Sequence, residues 1–474
     1  TDVISHCGTK LPGTRGVLSA DGTTVYFTAL GSDDGNCRAP TALAADMLYA
    51  RIDGSQTVPI SQPSPADCTT LACQGSSPAD AELQGASVDD GSRAYFTSPQ
   101  QLTDDAGQGS DNLYLYDFSK PVDERLTAVS AGDSSGGGPR VQGVMAISRD
   151  GSHAYFVARG VLTATANSQG QTAQDGANNL YAYDAAGGHT AFIAALPHFD
   201  FEEWLRGGAL APANVTPDGR FLVFTSHADL TPDDTSQSGA KQVFRYDAQT
   251  ADLIRISIGN DGINDNGNRP ATSPCGAREC AEDANIAGLT FDSARTDPTM
   301  SHDGAYVFFQ SPLALAPHAL DDVQIGVDSE GVAAYAQNVY EWHAGHVYLI
   351  SAGHDVAIGK SNVCQPSDVC LLGADGSGQN VYFSTSNQLV GQDTDTELDY
   401  YDARVGGGFP PPSEPTLCQG DACKGPATRA PSAQAPGSGS FSGPGNPKPH
   451  HKRRHHNHKR RHHKRANSNR GGAK

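Results

Sequence analysis

A chain of 474 residues has room for two or three average domains or for one long repeat array. Its 37% hydrophobic content, with 53 Gly and 29 Pro, points to a turn-rich β protein. The net charge of −20 conceals two regions: residues 448–474 hold 11 Lys and Arg and no acid, leaving 22 basic against 53 acidic residues in the remainder. An acidic body repels polyphosphate backbones and anionic lipids, which excludes nucleic-acid binding by the body. No apolar run reaches the roughly 18 residues of a membrane helix.

In chain order, the first segment is TDVISHCG, in which DVIS reads as a short strand. The chain starts on Thr1, so a processed product whose leader has been removed is expected. Six similar units follow. Each leads through Asp-Gly into an aromatic strand: SADGTTVYF at 19, VDDGSRAYF at 88, SRDGSHAYF at 148, TPDGRFLVF at 216, SHDGAYVFF at 301 and GADGSGQNVYF at 373. Asp-Gly favours a two-residue turn in which both central residues take positive φ. After a polar loop comes a second aromatic strand: MLYARI at 47, NLYLYDF at 112, NLYAYDA at 179, QVFRYDA at 242, NVYEWHA at 338 and LDYYDA at 398. Five units close with a last strand: TVPIS at 57, RLTAVS at 125, HTAFIAA at 189, LIRIS at 253 and VYLIS at 347.

The unit is therefore four antiparallel strands, A to D, with the Asp-Gly turn between A and B. The B strands are nearly continuous apolar runs, as expected when both sheet faces are buried. Small sheets stacked face to face meet that demand, which predicts an all-β, six-bladed β-propeller over residues 1–407. The sixth unit lacks a D strand and residues 2–6 resemble one, so the N-terminal strand is expected to close the ring.

The repeat S-x-D-G-x-x-x-x-F with a later LY-x-x-D resembles the TolB-like, or PD40 (WD40-like), propeller repeat, over roughly residues 1–425. The closing segment NQLVGQDTDTELDYYDARVGGGFP with CQGDACKGP resembles secreted propeller proteins of high-GC Gram-positive bacteria. The resemblance implies the fold. It leaves function open, because such propellers bind proteins, bind glycans or carry enzyme sites.

Ten cysteines fall mostly in close pairs, Cys68-Cys73, Cys275-Cys280, Cys364-Cys370 and Cys418-Cys423, with Cys7-Cys37 left over. Local disulfides and an oxidising, extracytoplasmic compartment are expected; scattered pairs do not suit zinc.

The units start 60–85 residues apart, and the excess lies in the B–C and D–A loops, which share one face. Those loops are acidic, with Asp233 and Asp234 in one and Asp321 and Asp322 in another, and would attract a protein or glycan partner carrying cations. Asp393, Asp395 and Glu397 alternate, so an extended backbone would turn three carboxylates to one side, as a calcium site needs. Leu398 stands where the full calcium loop requires Gly, and the rival reading is Asx turns on a soluble surface. Asp21, Asp90, Asp150, Asp218 and Asp303 read as turn residues. In PHFDFEEWLRGG (197–208), Phe199, Phe201 and Trp204 read as a plug over the ring mouth or local packing of a helical turn, or else as an aromatic platform for a sugar or peptide.

No G-x-S-x-G, H-E-x-x-H, Walker A or dinucleotide glycine pattern occurs. The sequence thus reads as a non-enzymatic binding or scaffold module. The alternative is a propeller-based carbohydrate-active enzyme, a polysaccharide lyase or glycoside hydrolase. Residues 408–447 are a Pro/Gly/Ser-rich linker, and 448–474, with seven His, a disordered basic tail. Three readings stand for it: binding anionic surface polymers (or nucleic acid, non-specifically), binding metal through paired His, or folding back on the acidic body.

Overall fold

The computed structural model describes residues 3–31, 43–204, 213–233, 239–260, 262–265, 283–287, 298–321, 323–327, 333–353 and 370–408. All lie in the first of two compact units, Thr1–Pro411; Pro412–Lys474 form the second. The basic tail and the expected pairs Cys418-Cys423 and Cys275-Cys280 therefore lie outside the described residues, as do Cys37, Cys364 and the side chain of Cys370.

Every predicted B and C strand forms. The B strands are Thr24–Ala29, Arg93–Ser98, His153–Ala158, Phe221–Ser226, Tyr306–Ser311 and Asn380–Thr385. Each pairs antiparallel with its C strand: Met47–Ile52, Asn112–Asp117, Asn178–Asp184, Gln242–Asp247, Asn338–His343 and Asp399–Arg404. The first four sheets run A-B-C-D; among the described residues the fifth and sixth have three strands each. The B–C loop of the fifth sheet carries its own ribbon, Gln324–Val327 against Ala333–Tyr335. Among the described residues, no helix is long and apolar enough to cross a membrane.

Consecutive sheets stack face to face. Tyr26, Leu48 and Ala50 of the first meet Leu83, Phe96 and Tyr114 of the second. The same packing recurs between the second and third sheets, the third and fourth, the fourth and fifth, and the fifth and sixth. The middle B strands are accordingly buried on both faces, with Tyr95, Phe96, Tyr155, Phe156, Val223 and Phe224 all at 0% exposure.

The Asp-Gly turns differ from the two-residue type expected. No Asp of the series takes positive φ; the backbone crosses there only at Gly22, Gly91, Gly151, Gly219, Gly304 and Gly378. The turn spans four residues, closed by the Gly22 N–H on the Ser19 carbonyl (2.9 Å) and its counterparts. The Ser19 hydroxyl donates to Asp21 (2.6 Å) and accepts the N–H of Thr24, which opens the B strand (2.9 Å). Asp21 in turn accepts the N–H of Thr23 (2.9 Å). Ser148 with Asp150, Thr216 with Asp218 and Ser301 with Asp303 repeat the pattern, so these acids are turn residues. A two-residue turn with both φ positive appears instead between C and D of the fifth sheet, at Ala344 and Gly345.

The N-terminal segment also departs from expectation. Thr9–Lys10 pairs with Ala29 and Thr28 as the A side of the first sheet. In four sheets a Ser at the end of the D strand receives a C-strand N–H: Leu48 on Ser61, Leu113 on Ser130, Val243 on Ser257 and Val339 on Ser351. Ser5 was the expected counterpart on the sixth sheet. Its hydroxyl instead donates to the Leu30 carbonyl (2.6 Å) and accepts the Cys7 N–H (3.0 Å). Among the described residues, Thr9–Lys10 joins the first sheet, the Gly8 carbonyl accepts the Leu30 N–H, and none of residues 3–10 pairs with the outer edge of Asp399–Arg404.

Candidate functional site

In four sheets, the second, third, fifth and sixth, the B–C loop is rooted by a tyrosine of the C strand. The Tyr181 hydroxyl donates to the Gly160 carbonyl (2.7 Å) and accepts the Leu162 N–H (3.2 Å). Tyr114 does the same with Gln100 and Leu102, and Tyr340 with Leu313 and Leu315. Tyr401 reaches Asn387 and Leu389. Burial pushes the Tyr181 phenol up to about 12, so these hydroxyls stay neutral donors at physiological pH.

Beyond these roots, the loop acids are spent on building the loops. Asp104 accepts the N–H of Thr69 (3.0 Å), the N–H of Thr70 (2.9 Å) and both threonine hydroxyls. Those bonds, from Thr69 first, hold its carboxyl below the usual range. They tie the second sheet's B–C loop to the turn closed by the Cys68–Cys73 disulfide, whose Cα atoms lie 5.4 Å apart. Asp105 accepts from the Thr103 hydroxyl (2.7 Å).

Of the expected calcium ligands, Asp393 and Asp395 come together with Asp399, their carboxylate oxygens within 4.8 Å of one another; Glu397 is not in the group. Asp393 faces the Tyr401 hydroxyl (2.5 Å), and the Glu397 N–H donates to Asp395 (3.0 Å). Three carboxylates are part of the six to eight oxygens calcium takes, and two of them also accept local donors, as Asx turns do.

The segment His198–Trp204 is a 3-10 helix laid against the third and fourth sheets. Trp204 is buried at 5% exposure among Met145, Tyr155, Leu196 and Leu222. Phe201 packs half-buried on the same core. These two rings are packing, because their faces are taken by the sheets; Phe199 alone stays open, at 40% exposure. Asp233 is exposed and Asp321 half-buried, while Asp234 and Asp322 lie outside the described residues.

The same helix builds a cluster that was not read from the sequence. Asp200 is 3% exposed and accepts from the Ser226 hydroxyl (2.6 Å) and from His227 Nδ1 (2.6 Å). His227 Nδ1 donates to Asp200, and Nε2 lies 3.9 Å from an Asp283 carboxylate oxygen. The Phe199 ring covers the imidazole edge-on at 5.0 Å. Asp283 also accepts the Lys241 N–H (2.7 Å). Three separate loops thus meet on one imidazole at the long-loop face. Ser226 points to Asp200 and away from the imidazole, so the trio is not arranged as nucleophile, base and orienter.

The turn acids carry a pH dependence. Asp21, Asp150 and Asp303 sit below the usual carboxylate range. At Asp21 and Asp303 a hydroxyl donor leads, Ser19 or Ser301; at Asp150 burial opposes and the Ser152 and Ser148 donors prevail. Asp375 lies at about 2, burial again opposing and Asn380 and Ser377 prevailing. A carboxyl lowered on folding adds stability above its unfolded value of about 4, and that stability is lost as pH falls through the folded value. The expected result is a plateau above pH ~4 and a loss of unfolding midpoint between about pH 4 and 2, followed by circular dichroism. A midpoint unchanged down to pH ~2 would contradict the role given to these acids.

No family model matches the chain, and no curated protein does. Among solved structures it is similar to a putative TolB from Agrobacterium tumefaciens, at 15% identity over 70% of this chain and 78% of that one, with a TM-score of 0.26. TolB from Acinetobacter baumannii aligns at 13% identity over 72% of this chain and 56% of that one, with a TM-score of 0.23. The β-propeller domain of the trilobed protease from Pyrococcus furiosus aligns at 8% identity over 67% and 66%, with a TM-score of 0.29.

Proposed function

We propose that the six sheets are the blades of one propeller, and that the chain is a non-enzymatic, extracytoplasmic binding or scaffold module. Its long-loop face engages a cationic protein or glycan partner, and its basic tail associates with anionic surface polymers. One observation carries the reading. Four of the long loops are rooted on C-strand tyrosines, and the second sheet's loop is cross-tied through Asp104, held ionised by local donors. A fixed face of one charge sign steers and orients an oppositely charged partner. The Cys68–Cys73 disulfide supports an oxidising compartment.

The test is a titration of the full chain with oligolysine and, separately, with a polyanion. Oligolysine is expected to bind, with affinity falling by roughly an order of magnitude as ionic strength rises from about 0.05 to about 0.3 M. Asp233→Asn should weaken it. The polyanion should bind through residues 448–474 and be lost when they are removed. Salt-independent oligolysine binding, or none, overturns the face reading; polyanion binding that survives tail removal overturns the tail reading.

A further inference from the structure

Several arginines of the first unit are spent on acids or rings. Arg93 donates to Asp117 (3.0 Å), Arg220 forks onto Asp247 (3.0 and 2.8 Å), and Arg149 reaches Asp89 (2.7 Å). Arg245 lies between the rings of Phe221 and Trp342, 4.1 and 4.7 Å from their centroids. Arg15 is different. It is half-buried, yet among the described residues its guanidinium makes no hydrogen bond and has no carboxylate within 4.0 Å.

The backbone fixes where that guanidinium sits. Residues 11–16 bulge out of the first sheet between Lys10, which pairs with Thr28, and Leu18, which bridges to Val25. The bulge rests on the inner strand of the second sheet, Glu82–Ala86. The Ala86 N–H donates to the Arg15 carbonyl (3.0 Å), and a Cβ on Gly16 would stand 2.2 Å from the Ala86 carbonyl oxygen, so glycine is required there. Two residues on, the Val88 N–H donates to the Arg149 carbonyl (2.7 Å). Arg15 of the first sheet and Arg149 of the third thus converge on one strand end, where Asp89 follows Val88. Burial holds the Arg15 guanidinium below its usual range; Arg149 adds to this and Asp89 opposes it. The nearby turn acids look elsewhere: Asp21 accepts from Ser19 (2.6 Å), Asp90 from Ser87 (2.9 Å) and Asp150 from Ser148 (2.7 Å).

We propose that Arg15, with Arg149 beside it, is a binding point for a single carboxylate, the acid group of a peptide terminus or an acidic sugar. Two guanidiniums face one carboxylate, and that carboxylate already serves Arg149. One positive charge is left over, in a body where acids outnumber bases. A half-buried guanidinium with open donors is costly unless an acceptor fills it. Its planar fork matches a carboxylate with two parallel bonds. A single surplus charge suits a monoanion, whereas a phosphate dianion would leave the spot negative. Arg149 and Asp89 are 45% and 55% exposed, so the spot is open to solvent. It lies at the Asp-Gly turns, away from the long loops, and is independent of the oligolysine reading.

Footprinting of the full chain with phenylglyoxal, read by peptide mass spectrometry, tests it; the tail arginines fall on other peptides. Arg15 is expected to react faster than Arg220, whose donors are held by Asp247. N-acetylglycine (for a peptide terminus) or glucuronate (for an acidic sugar) should protect Arg15 and leave Arg220 unchanged, and N-acetylglycinamide should do neither. Protection at the lower concentration names the source. By isothermal titration, Arg15→Gln should weaken binding of the protecting acid about tenfold. The assignment falls if Arg15 reacts no faster than Arg220, or if neither acid protects it better than the amide. It falls equally if inorganic phosphate protects at lower concentration than both acids, or if Arg15→Gln binds as the unaltered chain does. The footprint is read on the unaltered chain, so it stands even where the variant fails to fold.

Discussion

Gly304→Val is expected to destabilise the protein by about 3 kcal/mol or more. Two costs combine. The backbone at Gly304 has φ +69°, where a β-branched residue is strained by about 1–2 kcal/mol. The new Cβ would also stand 2.1 Å from the Phe221 ring. That ring is poorly placed to yield, because the guanidinium carbons of Arg245 and Arg220 sit 4.1 Å and 4.5 Å from its centroid. Overpacking of a fixed neighbour adds about 1–3 kcal/mol. Gly188→Val, whose glycine has a similar φ (+63°) and no described neighbour within 4 Å, supplies the backbone term alone, and the difference in urea midpoint between the two variants reads the joint between the fourth and fifth sheets. Equal midpoints would show that Phe221 moves aside freely.

Trp204→Ala is the second large effect, about 3–5 kcal/mol. The indole packs among side chains of the third and fourth sheets, and the backbone carbonyl oxygen of Trp204 occupies the space a Cβ on Gly143 would need, at 2.0 Å. Truncation leaves a cavity that two stacked sheets close only in part. It also releases the 3-10 helix that carries Asp200, so the Asp200–His227 contact should loosen with it. The chain has two tryptophans, and Trp342 remains to report unfolding by fluorescence. A loss below about 1 kcal/mol would mean that the ring lies on the surface as a platform and is not core.

The sheets were readable because their signals are local. Asp-Gly followed by VYF or AYF marks a turn and a two-face-buried strand within nine residues, and LYxYD marks its partner. The turn geometry was misjudged because the dipeptide was taken as the whole turn, when the Ser two residues before the Asp closes it. Ser5 misled for the opposite reason: DVIS matches a D strand, but a match to a strand does not say which edge it joins. The Asp200–His227–Asp283 cluster joins residues 27 and 56 positions apart on three loops, and no spacing rule links them. Asp200 lay inside a stretch already singled out for its aromatics, yet its role appears only when His227 and Ser226 are brought beside it. Alternation pointed to Asp393, Asp395 and Glu397, whereas the carboxylates that come together are those of Asp393, Asp395 and Asp399, the last on the following strand.

The tyrosine roots of the B–C loops have an evolutionary corollary. Since the hydroxyl of Tyr181 grips only the backbone of Gly160 and Leu162, it places no demand on side chains further out. Everything distal to such an anchor is free to diversify in length and chemistry while the scaffold below keeps its registration. Tyr114 and Tyr340 offer the same graft points, so variants with exchanged loop tips should fold alike and differ only in what they recognise.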